Sequence, residues 1–368
     1  MATNAFILLT LLEALVIGGL FLIYPRIARR GLLFGVYIGE ERWDGDEARE
    51  IAKSWQVSIV VWTIVSVCLG MGLFLRFRSP IVAPVSPLVL TAGCLVLYLR
   101  AYFRARSLAA PGPPAAVAVL AETKPSTILP TFVLMVGVLG GVVALSYATM
   151  HYADLPSIVP THFGPSGKPD AWHPKSFWTV MLLPLLTLVL GVGMGGMVFF
   201  TSRAKRAIRF PQTQISVEAQ TRFRQAVTRL LSGIAIVVTV MLTVGSISSI
   251  RVGLGLATGL SPIMMVLAIG LGLFAIGGTL YLAFHYGQGG ARLERAAGNA
   301  PLTDGLADNR HWVLGTFYVN RDDPSIFVER RFGFGYTINF GNWKAVALLA
   351  GFLVVLLGLA AAAIVKNG

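Results

Sequence analysis

Eight separated apolar runs, residues 5–23, 56–75, 80–99, 128–149, 177–200, 230–248, 261–284 and 345–365, constrain this chain more than any other feature. Each is close to the ~20 residues that cross a ~30 Å hydrocarbon layer. Lipid offers no hydrogen-bond partners to backbone N–H and C=O groups, so such runs must satisfy them internally as helices. The composition agrees, with 55% hydrophobic and 13% charged residues, against roughly 25% charged in soluble domains. The expected fold is an all-α polytopic membrane protein of about eight transmembrane helices, with a small β-rich module between helices seven and eight. Pro84 and Pro87 interrupt the first turns of the third run, making it the weakest. No basic stretch followed by a small-residue cleavage site opens the chain, so the first run is expected to stay as a helix.

The runs divide the chain into a seven-helix membrane region, 1–284, that includes a polar loop at 150–176; a loop module with short strands, 285–343; and a last helix with an outer tail, 344–368. The formal charge of +13 would suggest nucleic acid in a soluble protein. Here its distribution matters more. Of the 30 Lys and Arg, 24 fall in the segments after the first, third, fifth and seventh runs, and the other six are Arg76, Arg78, Lys168, Lys175, Arg251 and Lys366. Cytoplasmic segments carry such an excess. The chain is therefore expected to place both termini, and the 150–176 loop, outside the cytoplasm. Basic residues at helix ends attract anionic lipid headgroups at about 1 kcal/mol each, so the expected partners are the bilayer and its anionic lipids, with no nucleic acid.

The outer loop contains "PTHFGPSGKPDAWHPKSFW". Pro156, Pro160, Pro165, Pro169 and Pro174 fix φ and forbid helix, while Gly164 and Gly167 permit tight turns. A stiff loop loses little entropy when its polar groups are held for a ligand. Three readings stay open. His162 and Asp170 can cap backbone groups, with Trp172 and Trp178 as an interfacial belt. The loop can recognise a peptide or lipid headgroup. His151, His162 and His173, with Asp154 and Asp170, are weak candidates for a borderline metal, since their spacing matches no established ligand pattern.

Glu13 is the ionisable residue nearest the middle of a run, where a carboxylate costs about 2.5–3.5 kcal/mol on insertion scales. It reads either as a proton or cation site or as a neutral acid bonded to another helix. In the first inner loop, Asp46 is placed to cap a short helix toward Trp55, and the acidic cluster around it to offset the basic loops. The last inner loop holds apolar clusters at 312–319, 326–328 and 336–340, separated by turn signals, which predicts two or three short strands. Gly137/Gly141 and Gly191/Gly195 have the spacing of close helix contacts. Cys68 and Cys94 read as packing residues without a disulfide. No nucleophile elbow, H-E-x-x-H, C-x-x-C or phosphate-loop pattern is present, and no cofactor is expected.

The ordered set Leu155, Pro156, Pro160, His162, Phe163, Gly167, Asp170, Trp172 and Lys175 resembles the signature loop of the SdpI-like bacterial membrane proteins, with Val159 where that family prefers isoleucine. The inner segment carrying Trp312, Gly315, Tyr318, Asn320, Asp323, Arg331, Gly335 and Asn339 is similar to a second, uncharacterised cytoplasmic module that accompanies it. "FGVYIGEE" resembles an element of the longer relatives, with Gly39 in place of proline. The resemblance implies a multi-pass protein of the bacterial cytoplasmic membrane. It further implies recognition of, or immunity against, an extracytoplasmic peptide or envelope factor, through His162, Phe163, Gly167, Asp170, Trp172 and Lys175, and coupling to a cytoplasmic protein partner. The alternative is a membrane-embedded metal-dependent enzyme or small-solute transporter using Glu13 and His162.

Overall fold

The computed structural model describes residues 2–77, 82, 84–111, 126–164, 166–204, 209–210, 214–298, 303–304, 308–331 and 335–367. Among them, eight helices are long and apolar enough to cross a membrane: α1 (Ala2–Ile27), α3 (Asp46–Phe77), α4 (Val85–Arg106), α5 (Ile128–His151), α6 (Phe177–Ser202), α7 (Gln214–Gly253), α8 (Ile263–Tyr281) and α10 (Trp343–Asn367). Two short helices, α2 (Glu40–Trp43) and α9 (Ala291–Ala296), lie in the connections. Large apolar side chains such as Leu15, Val266 and Leu273 stand exposed along these helices, as expected where the solvent is hydrocarbon.

The long helices form two groups. In the first, α1, α3 and α4 pack together; in the second, α5, α6 and α7 form the centre, with α8 against α7 and α10 against α6. The glycine spacing read from the sequence marks the tightest contact. A Cβ on Gly137 would lie 2.4 Å from the Gly191 carbonyl oxygen, so only glycine lets α5 and α6 approach this closely.

Three helices depart from the expected limits. The third span was expected over 80–99, but α4 begins at Val85 and runs to Arg106; Pro80 itself lies outside the described residues. Pro84 caps that helix and Pro87 sits in its first turn, where the missing N–H has no intrahelical partner anyway. Asp46 starts no separate short helix: α3 continues unbroken into the membrane. α7 starts at Gln214, well before the expected start at residue 230, and so includes the buried Phe223 and Arg224. Both expected packing cysteines are free, Cys94 buried and Cys68 exposed.

The described strands form five two-stranded antiparallel pairs: β1 (Leu32–Leu33) with β2 (Val36–Tyr37), β3 (Ile158–Phe163) with β4 (Pro169–Pro174), β5 (Arg209–Phe210) with β6 (Thr303–Asp304), β7 (Trp312–Val313) with β8 (Phe317–Tyr318), and β9 (Phe327–Glu329) with β10 (Tyr336–Ile338). The last two pairs fall where two or three strands were expected before the final helix; there are four among the described residues, because the apolar cluster at 312–319 folds back on itself as β7 and β8. The β3–β4 hairpin was read only as a proline-stiffened loop. Its prolines are tolerated because each strand has an unpaired edge that needs no N–H donor.

Candidate functional site

The β3–β4 hairpin, the loop expected on the outer side, grows from the C-terminus of α5 and returns into α6. Val159 of β3 and Leu155 just before it are buried against Ala148, Val180, Met181 and Ile250, which anchors the hairpin to three helices. Lys175 donates to the Leu155 carbonyl at 2.7 Å and the Tyr152 carbonyl at 3.3 Å, so its charge holds the end of α5. Ser176 and Thr179 then form a reciprocal capping box on α6. At the tip, Gly164 N–H donates to Lys168 O at 2.9 Å, and Gly167 takes a φ of 74°. Leu260, in the connection after α7, donates its N–H to Gly167 O at 2.8 Å and supports the tip from the side. Pro165 lies outside the described residues.

The polar groups of the hairpin face outward. His162 Nδ1 lies 2.5 Å from Asp170 Oδ1, with both side chains more than half exposed, at 70% and 51%. Trp172 is exposed. His173 Nδ1 bonds Thr161 Oγ1 at 2.6 Å, and His151 lies 3.6 Å from Asp154. The three histidines thus have three separate neighbours. Among the described residues, no group of three His, Cys, Asp or Glu side chains comes together as a metal site.

Beneath the hairpin lies a cleft of about 250 Å³ between β3, the start of α6 and the end of α7. Val159, Thr161 and Phe163 of β3 line it with His173, and Ser246 and Ser249 of α7 face them. A small, mostly apolar cleft with a few convergent polar groups is the usual form of a ligand site. Thr161, Ser246 and Ser249 were not foreseen. Pro160 also lines the cleft and the pairing register shifts just after it, so no period-two alternation points to Thr161; the two serines sit in an apolar run and give no signal either.

The strand pairs before α10, expected on the inner side and termed the inner module, use their polar residues differently. Asn339 is fully buried. Its side-chain amide donates to the Asn320 and Asp323 carbonyls, both at 2.9 Å, while its oxygen accepts from the N–H of Asn320 at 3.1 Å and of Gly341 at 2.9 Å. Every bonding position of that amide is filled. Tyr318 donates to Asp323 at 3.1 Å and accepts from Asn320 at 3.2 Å, and burial pushes its phenol up to about 12. Trp312 is buried with Leu32 and Val328. The Arg331 guanidinium lies 5.1 Å over the Trp312 ring and donates to Asn309 at 2.7 Å and to the Gly35 carbonyl at 3.2 Å. Burial pushes that guanidinium down to about 9. Gly335, with a φ of 90°, accepts from the Arg330 N–H at the β9–β10 turn.

Two turns meet at the centre of this module. Phe34 and Gly35 join β1 to β2 with φ of 47° and 78°, and Leu314 and Gly315, between β7 and β8, have 51° and 67°. Positive φ at both central residues is the type I′ pattern favoured in hairpins. The turn tips press together so closely that a Cβ on Gly35 would lie 2.3 Å from the Gly315 oxygen. Tyr98 Oη, from α4, stands 2.8 Å from the Leu314 carbonyl, 3.2 Å from the Phe34 carbonyl and 3.0 Å from Thr316 Oγ1. The "FGVYIGEE" element and the module before α10 therefore form one unit. Of the acidic residues in this first segment, Asp44 pairs with Arg30 of the same segment, and Glu50 of α3 pairs with Arg104 of α4 at 2.8 Å.

Glu13 is half-buried on α1, in the first helix group. It lies on a different group from the one that carries the hairpin.

The fold defines a multi-pass, eight-helix membrane protein with small strand pairs at its helix ends. Residues 139–188, from mid-α5 through the hairpin into α6, match a domain of unknown function (DUF1648), and residues 321–346, reaching from the inner module into α10, match a family of unknown function (DUF5808). No curated protein and no solved structure matches the chain.

Proposed function

We propose that the chain is a bacterial cytoplasmic-membrane protein of the SdpI-like class, with both termini outside. In this reading the β3–β4 hairpin recognises, or gives immunity against, an extracytoplasmic peptide or envelope factor, and the inner module couples to a cytoplasmic partner. The observation that carries the reading is the cleft beneath a hairpin whose backbone is anchored and whose charged pair, His162 and Asp170, stands exposed. Amphipathic membrane-active peptides carry basic and apolar faces; the exposed carboxylate of Asp170, the Trp172 ring and the apolar cleft offer a counterpart to each. The division into a membrane region (1–284), a loop module (285–343) and a last helix (344–368) belongs to the same proposal. The enzyme or transporter alternative needs Glu13 and His162 to work together, and their separation on two helix groups favours recognition.

The test is survival of cells expressing wild type, His162→Ala or Asp170→Ala under challenge with cationic amphipathic peptides. Protection by wild type that both variants lose supports the reading; no protection by wild type against any peptide in the panel counts against it. For the orientation, a reporter in the hairpin is expected to be accessible from outside and one beside Asn309 from the cytoplasm, and the reverse pattern refutes the assignment.

A further inference from the structure

Between the two helix groups, at the end of the bundle where the inner module sits, a crevice of about 480 Å³ opens. Its walls include Phe21 of α1, Ile234 of α7 and Leu280 of α8, and Phe327, Arg330 and Tyr336 of the inner module close its mouth. The opening follows from the packing. Among the described residues α1 packs broadly on α3 and α4, and no helix of that group packs broadly on α6, α7 or α8. The inner module bridges the groups at their ends and leaves the space beneath it unfilled by side chains.

An apolar gap in this position cannot stay empty without loss. Its lining forgoes dispersion contacts, and water inside would find few of the two to four polar partners it needs. The walls are the last turns of α1 and α8 and the first membrane turns of α7, so the crevice lies where acyl chains meet headgroups. Hydrocarbon from the surrounding leaflet is the filler that the location supplies.

The mouth adds a charge requirement. Arg330 makes no ion pair among the described residues, and its buried Nε has no hydrogen-bond partner there. Burial lowers its pKa from the ordinary arginine value, the mark of a cation that has lost water without gaining an anion. Its backbone is fixed on both sides: its N–H donates to Gly335 O at 3.1 Å, and Gln288 donates to its carbonyl. The neighbouring Arg331 is already engaged with Gly35 and Asn309. A guanidinium is a fork that matches phosphate oxygens, and this end of the protein carries the basic residues that concentrate anionic lipid.

We propose that the crevice binds one anionic phospholipid of the adjoining leaflet, with an acyl chain between α1, α7 and α8 and the phosphate on Arg330. The lipid bridges the two helix groups that the protein itself leaves apart.

The experiment titrates the full purified chain in neutral detergent with dioleoyl phosphatidylglycerol or dioleoyl phosphatidylcholine, reading bound lipid by native mass spectrometry and unfolding temperature in parallel. Wild type is expected to retain one phosphatidylglycerol with about tenfold preference over phosphatidylcholine and to gain thermal stability from it. Arg330→Gln is expected to bind the two lipids equally, Arg330→Lys to keep part of the preference, and Ile234→Trp, which fills the crevice, to weaken both. If Arg330→Gln does not fold, Ile234→Trp decides: undiminished binding of the single phosphatidylglycerol overturns the proposal. Equal binding of both lipids by wild type, a preference kept by a folded Arg330→Gln, or a lipid-free dimer covering the crevice also overturns it. Glycerol phosphate competing as well as the whole lipid would reduce the site to a phosphate site and contradict the acyl-chain half.

Discussion

The outer hairpin and the inner module are both small antiparallel elements at helix ends, yet they use their polar side chains in opposite ways. At the inner module the amide of Asn339, the guanidinium of Arg331 and, from α4, the hydroxyl of Tyr98 bond to backbone carbonyls, with Asn309 and Thr316 as further partners of Arg331 and Tyr98, out of reach of solvent. On the hairpin the backbone is anchored by Val159, Leu155 and Lys175, while among the described residues His162 and Asp170 form a hydrogen-bonded pair with each other in the open. Polar groups that are buried and satisfied specify a structure; polar groups held rigidly and left exposed are available to something else. Under the proposed function, one end serves architecture and the other recognition.

The contrast breaks most readily at the paired turns. Gly35→Val combines a left-handed backbone with a Cβ driven into the Gly315 carbonyl, and the expected loss is about 3 kcal/mol or more. Limited proteolysis within 308–331 is the readout, and unchanged protection would mean that the turns do not lock the two inner segments. Next in size is Asn339→Ala. It strands several buried backbone groups at about 1–3 kcal/mol each, so denaturant unfolding is expected to shift by about 3 kcal/mol; a shift below about 1 kcal/mol would remove Asn339 from the centre of the module.

A smaller effect separates surface charge from buried structure. The Arg310 side chain, hydrogen-bonded to Asp308, holds that carboxyl down at about 2, below its ordinary 3.8. A carboxylate with a lowered folded-state pKa adds stability that is present above the ordinary value and disappears as pH falls through about 2. Unfolding temperatures of wild type and Asp308→Asn, followed from pH 5 to pH 2, are expected to converge at the acid end. A constant difference would show that Asp308 acts through its size or capping geometry and not its charge.

The parts of this fold legible in sequence are those enforced by lipid or by local chemistry. Eight apolar runs became eight helices because hydrocarbon permits little else, and glycine spacing marked both faces of a close helix contact without showing that Gly137 meets Gly191. The strands before α10 were readable from alternating turn signals. What escaped was non-local. Phe34–Gly35 and Leu314–Gly315 carry no mark of their pairing, and Tyr98 lies in a run whose apolarity conceals its bonds to both turns. The hairpin's existence was hidden by its prolines, which read as loop although an edge strand accepts them. His162, Asp170 and Trp172 were singled out by composition and line no part of the cleft, which needed α7 to be folded against β3 before Ser246 and Ser249 came into view.

The comparison is tested most directly by pairing one functional and one stability readout on the hairpin variant His162→Ala/Asp170→Ala. The account expects unfolding within about 0.5 kcal/mol of wild type, as for exposed ion pairs, together with loss of the protection that wild-type cells show against a cationic amphipathic peptide. Full protection by this stably folded variant would contradict the assignment of recognition to the outer hairpin.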